Sequence, residues 1–123
     1  MLAGDKLVAF VATRDGALAR EFYESTLGLS VVTDDAFALV LDANGTMLRI
    51  QKVETFTPSP FTAHGWEVAN IARTVSELEK RGVTFQKYPW MEQDPAGIWS
   101  APSGARVAWF KDPDGNTLSL TEF

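Results

Sequence analysis

Two stretches of this chain follow one script: Leu41-Asp42-Ala43-Asn44-Gly45-Thr46-Met47-Leu48-Arg49-Ile50 and Lys111-Asp112-Pro113-Asp114-Gly115-Asn116-Thr117-Leu118-Ser119-Leu120. Each brings an apolar run to an acid, turns through a glycine and leaves as an alternating run, which is the signature of a β-hairpin. In the second, Leu118 and Leu120 fall on one side of the outgoing strand and Thr117, Ser119 and Thr121 on the other. Such a strand packs its apolar face on a core and offers its small hydroxylic face to a cavity, with Ser119 in the wall. A hairpin that occurs twice makes one unit and its repeat the simplest architecture, against chance similarity between two hairpins.

The order of the remaining signals agrees. Lys6 to Ala12 reads as a strand, and Asp15 caps a helix carrying Leu18 and Phe22 on one side and ending at Gly28. Val31-Val32, Phe37 to Leu41 and Thr46 to Lys52 read as three strands, with turns at Asp34-Asp35 and Ala43-Asn44-Gly45, so the first half is β-α-β-β-β. Pro58 and Pro60 mark a connection. The pattern then restarts: a strand over Ala63 to Ala69, a helix capped by Asn70 with Ile71, Val75 and Leu78 on one stripe, and Gly82 past its end. Val83 to Lys87, Gly97 to Ala101 and Arg106 to Phe110 are expected as strands before the last. The polar loop from Glu92 to Ala96, between Trp90 and Trp99, is placed to lie over an opening. The chain therefore reads as a single α+β domain built of module 1–57 and module 61–123, joined by the proline-containing connection.

Composition removes several chemistries. With 123 residues and no cysteine, the chain is long enough for a core without staples and has no thiolate ligand, disulfide or cysteine nucleophile. A net charge of -5 and no Lys/Arg cluster argue against a nucleic-acid partner. Met1 to Lys6 lacks the layout of a signal peptide and no apolar run is long enough to span a membrane, so the expected location is cytoplasmic, without a membrane partner.

Three motifs carry a resemblance. Phe22-Tyr23-Glu24-Ser25-Thr26-Leu27-Gly28-Leu29, Trp66-Glu67-Val68-Ala69-Asn70-Ile71 running on to Arg81-Gly82-Val83, and Phe110-Lys111-Asp112-Pro113-Asp114-Gly115-Asn116 are similar to signatures of the vicinal oxygen chelate superfamily. That group comprises glyoxalases, bleomycin resistance proteins and extradiol dioxygenases. The resemblance implies two βαβββ modules forming a cupped mixed sheet with helices outside, commonly in a homodimer. In enzymatic members it also implies a divalent metal held by histidines and glutamates. Its last strand would carry a glutamate ligand where this chain has Ser119, and the same place in the first module is Arg49. A hydroxyl is a poor ligand and a guanidinium repels a metal. The positions of the first-strand histidines fall on Lys6 and Ala63. His64, the one histidine, is off that register by one residue, which in a strand turns it to the other face; it is expected to be a surface or strand-end residue. No metal site and no other cofactor are expected.

With Trp66 and Val68 in the core, the inward positions include Lys6, Val8, Phe10, Met47, Arg49, Gln51, Gly65, Glu67, Thr117, Ser119 and Thr121, with Trp99 adding flat surface beside Trp90 and Trp109 near the mouth or a dimer contact. Arg49 and Glu67 either pair with each other or hold a ligand's carboxylate and amine. Ser119 has no base placed by any motif, so nucleophilic catalysis finds no support. The expected function is metal-free binding of a small planar or amphipathic molecule in a cleft of a homodimer. The other reading is a lyase or dioxygenase of the vicinal oxygen chelate type with an atypical site, and only under it is a divalent metal expected.

Overall fold

The computed structural model describes residues 1–123. They divide into two compact units, Met1–Thr57 and Pro58–Phe123. No helix is long and apolar enough to cross a membrane.

In the first unit a single 3-10 turn, Leu2–Gly4, precedes β1 (Val8–Thr13), α1 (Gly16–Arg20), β2 (Ser30–Asp34), β3 (Ala38–Ala43) and β4 (Thr46–Lys52). Asp15 caps α1 as expected, its Oδ1 accepting from the amides of Ala17 and Leu18 at 3.1 and 3.2 Å. The expected single α-helix instead passes into a π-helix over Glu21–Thr26, with the Leu27 amide donating to the Phe22 carbonyl at 2.9 Å. The span from Asp15 to Gly28 holds one residue more than that from Asn70 to Gly82, and wider i→i+5 turns absorb it. The strand order is β1-β4-β3-β2, with β1 parallel to β4 and the other pairs antiparallel. Strand parity sends Val11, Leu39, Leu41, Leu48 and Ile50 to one face, where they are buried with Ala19 and Tyr23 of the helical segment. Asn44 (φ 51°) and Gly45 (φ 91°) form the tight β3–β4 turn that Asn-Gly anticipates.

The second unit repeats the plan: β5 (Thr62–Glu67), α2 (Ile71–Lys80), β6 (Trp99–Ser100), β7 (Arg106–Lys111) and β8 (Thr117–Glu122), in the order β5-β8-β7-β6. Asn70 Oδ1 accepts from the Arg73 amide at 3.1 Å, and Glu122 Oε1 accepts from the Ile71 amide at 2.9 Å, so β8 supplies a second cap to α2. Ile71, Val75, Val83, Phe85, Ala108, Phe110, Leu118 and Leu120 are buried as its core, and Trp66 stacks on Phe110 with ring centroids 6.4 Å apart.

Two expected strands are corrected. Val83 to Lys87 forms only a bridge between Phe85 and Phe110, and Gly97 to Ala101 shrinks to Trp99–Ser100. The free edge of β7 is thus partnered twice, with an excursion containing Pro89 and Pro95 between the two contacts, and prolines cannot extend a ladder. That excursion is no loose cover. Gln93 straps it to its own stem: its Oε1 accepts from the Tyr88 amide at 2.8 Å, and its Nε2 donates to the carbonyls of Gln86 and Gly97 at 3.1 and 2.8 Å.

Candidate functional site

The place of Ser119 is fixed by the turn before it. Asp112 Oδ1 accepts from the amides of Asp114 and Asn116 at 3.0 and 2.9 Å, and its Oδ2 accepts from Asn116 Nδ2 at 2.8 Å. This buried carboxylate sets where β8 begins and hence which of its residues face which way. Thr117, Ser119 and Thr121 lie opposite the core face, as the alternation predicts.

Across the sheet, Ser119 pairs with Gly65 on β5 and with Trp109 on β7. The next row is Glu67, Thr121, Val107 and Trp99. Below them lies an irregularity between Thr62 and His64: Thr62 pairs with Thr117, His64 with Leu118, and Ala63 is the extra residue. The position that the motif register gives to Ala63 on the inner face is therefore held by Thr62. His64 keeps the opposite parity, on the side of Leu118 and Trp66, with its ring 5.3 Å from Trp66. It is no surface or strand-end residue: both ring nitrogens are shielded from solvent, and burial pushes its pKa down to about 4.

Trp109 dominates this face. Strands β7 and β5 are two spacings apart, about 10 Å. The indole spans them over β8, its Nε1 donating to Thr62 Oγ1 at 3.1 Å. Gly65 makes room for Ser119 beneath it, because a Cβ there would meet Ser119 Oγ and lie 2.7 Å from the Ser119 carbonyl oxygen. Under this cover Thr117 and Ser119 are 7% and 9% exposed. The rings of Trp99 and Tyr88 stand 6.2 and 5.9 Å from Trp109, and Trp90 lies 5.0 Å from Tyr88 while remaining exposed. Burial raises the Tyr88 pKa above its ordinary value. Trp90, Trp99 and Trp109 thus form one aromatic cluster with Tyr88. Neither Thr62 nor Tyr88 was indicated by sequence patterning. Gly65 inside a strand was the available signal, since a strand glycine often marks a close approach.

The corresponding face of the first unit carries Val8, Phe10 and Ala12 on β1 beside Met47, Arg49 and Gln51 on β4. Phe10, Val8 and Met47 are 54%, 37% and 40% exposed. Lys6 precedes the strand and lines a shallow cavity of about 200 Å³ with Leu7, Val8, Val32 and Met47. Within their own units neither Arg49 nor Glu67 makes an ion pair.

These residues do not fit a catalytic metal. No three His, Asp or Glu side chains converge. Ser119 Oγ faces Gly65 beneath an indole, Arg49 carries a fixed positive charge, and the histidine points to the other side of its sheet.

Two four-stranded mixed sheets, each with one capped helix on its apolar face and a chemically distinct opposite face, define an α+β protein of paired βαβββ units. The chain belongs to the glyoxalase/bleomycin resistance protein/dioxygenase superfamily, whose family model matches residues 6–120. Solved structures agree in fold. A member of that superfamily from Sphaerobacter thermophilus is 25% identical, with all of both chains covered and a TM-score of 0.78. A bleomycin resistance determinant encoded on the transposon Tn5 is 22% identical over 96% of this chain and 97% of its own, with a TM-score of 0.75. TnmS3, an antibiotic binding protein from Streptomyces sp. CB03234, is 23% identical over 99% and 98%, with a TM-score of 0.73. No curated protein matches the sequence.

Proposed function

We propose that this chain is a cytoplasmic binding protein that, as a homodimer, takes a small planar or amphipathic molecule without a metal or other cofactor. The observation that carries the reading is the joined cluster of Tyr88, Trp90, Trp99 and Trp109, on a face where no metal-ligand set converges. Aromatic surface of this kind gains from stacking on flat partners, and a few polar groups beside it set orientation. Glu67 and Thr121 supply such groups in the row next to Trp109. The half-exposed apolar residues Val8, Phe10 and Met47 support self-association through the first unit. The likeness to a bleomycin resistance determinant and an antibiotic binding protein is consistent with sequestration.

Native mass spectrometry of the protein as isolated tests this in one measurement. The expected species is a dimer without stoichiometric metal, to which planar compounds add one per site and quench tryptophan emission saturably. A monomer retaining one tightly held zinc, nickel, manganese or iron, with no saturable binder in a panel of flat metabolites and antibiotics, would overturn it.

A further inference from the structure

We propose that Thr62, turned onto the inner face by the bulge at Ala63, is a positioning residue that pins the Trp109 indole across β8, and that the pinned ring makes the site select planar cationic ring systems. The inference deepens the reading above and rests on it. Without the bulge, Thr62 would share the parity of His64 and face the helix side; with it, Thr62 pairs with Thr117 and meets the indole N–H. Three features then act together. Gly65 leaves room for Ser119 to lie against β5, Trp109 beside it reaches over β8 from the far strand, and Thr62 takes up the indole's only hydrogen-bond donor.

The chemistry of the ligand follows from that last point. A ring whose N–H is already used cannot donate to a ligand, so it recognises by its face. An indole face carries the negative end of the ring quadrupole and attracts cations. Glu67 stands exposed in the next row, makes no ion pair within its unit, and adds negative charge to the same face. The chain's net charge of -5 draws cations to it at longer range. A flat cation satisfies the stacking surface and the carboxylate at once. A flat anion satisfies only the first, and a compact non-planar cation only the second.

Proflavine, anthraquinone-2-sulfonate and tetraethylammonium are the probes, followed by tryptophan quenching and calorimetry on the whole chain. Proflavine is expected to bind tightest. Thr62→Val should weaken it roughly three- to tenfold, within the range a lost aromatic alignment commands, and Thr62→Ser should restore it. Trp109→Phe, which keeps a ring but has no donor, should weaken it similarly, and Thr62→Val added to Trp109→Phe should cost nothing more. A second readout needs no ligand: of the four indole N–H signals in ¹⁵N-labelled protein, the one lost in Trp109→Phe should shift and exchange faster with water in Thr62→Val than in the parent. Thr62 is exposed, so the variant is expected to melt like the parent. Preference for the sulfonate would overturn the cationic class. Proflavine binding and indole exchange both untouched by Thr62→Val would overturn the positioning role while leaving the binding reading intact. If none of the three probes binds the parent protein, the ligand claim and the reading beneath it both fall.

Discussion

The same row of three strands is filled in opposite ways in the two units. In the first, Phe10 on β1, Arg49 on β4 and Val40 on β3 stand side by side; in the second, Gly65 on β5, Ser119 on β8 and Trp109 on β7 hold the equivalent places. The bulk has moved from the β1 position to the β7 position, and the central residue has shrunk from arginine to serine. The opposite faces have hardly diverged: Leu39, Leu41, Leu48 and Ile50 correspond to Ala108, Phe110, Leu118 and Leu120, all buried. A core face must be filled to solid density whatever the protein does, whereas the other face is free to take on chemistry. In the second unit that freedom has gone into a ring laid across the sheet; in the first it leaves Phe10 and Met47 half in solvent.

The sharpest way to break this comparison is to add one methyl group. Gly65→Ala puts a Cβ 2.7 Å from the Ser119 backbone oxygen and against its Oγ, so the backbone at Ser119 must move, and Trp109, its partner in the ladder, is expected to shift with it. Overpacking of this kind is expected to cost about 3 kcal/mol in a urea melt, with a red shift in tryptophan emission. If Gly65→Ala melts like the parent with unchanged emission, the close approach of β5 to Ser119 is not required.

The two turns give the next largest contrast. Asp112 is 6% exposed and accepts at least three hydrogen bonds, whereas Asp42 is exposed and accepts one from the Gly45 amide at 3.1 Å. Asp112→Ala strands buried donors and should cost about 2–3 kcal/mol, while Asp42→Ala should cost about 0.5 kcal/mol or less. Equal losses in paired melts would show that the turns are anchored alike and that the register of β8 has another source.

Much of this was legible in the residues, for identifiable reasons. Hairpins and helix ends are local: Asn44-Gly45, the Asp-Pro-Asp-Gly-Asn turn and the caps Asp15 and Asn70 each state their geometry within a few residues, and parity then puts Ser119 and Glu67 on the inner face. What stayed hidden depends on partners distant in sequence. The β5 bulge exchanges Thr62 for Ala63 with Gly65 as its one nearby mark, and the Trp109–Thr62 bond joins strands that are not neighbours. The segment from Val83 to Lys87, with Val83 and Phe85 alternating with polar residues, has a strand pattern, yet it finds only one bridging position on β7, since Trp99 takes the next stretch of that edge. His64 looked peripheral because a lone histidine at the start of a strand usually is; here it lies beside Trp66 on the core side.

That histidine supplies a contrast in acid. Burial holds the His64 pKa at about 4, below its ordinary 6.5, so the unfolded chain binds a proton that the folded chain refuses between those values. Stability is therefore full above pH 6.5 and falls as pH drops toward 4, by about 2 kcal/mol at pH 5 if carboxylate effects are set aside. His64 is the only histidine, so the loss belongs to the second unit. Hydrogen exchange between pH 7 and pH 5, corrected for intrinsic rates, should show destabilisation in β5 and β8 before β1 and β4. His64→Leu should flatten the slope. The same slope in that variant would assign the acid sensitivity to other groups.

The smallest expected effect lies where the comparison makes its most exposed claim. Phe→Ala in a packed core costs about 3–5 kcal/mol. Phe10, at 54% exposure and with Arg49 beside it and Val40 one strand beyond, should lose about 1 kcal/mol or less per chain on becoming alanine. The informative quantity is then the association state. If the first unit's bare face is what a second copy covers, Phe10→Ala should shift sedimentation from dimer toward monomer while the melt of dilute protein barely moves, because the ring's burial would belong to the partner and not to the fold. A large loss of stability without dissociation would mean that Phe10 is core after all. The two faces would then differ in which residue fills them, and not in whether they are filled.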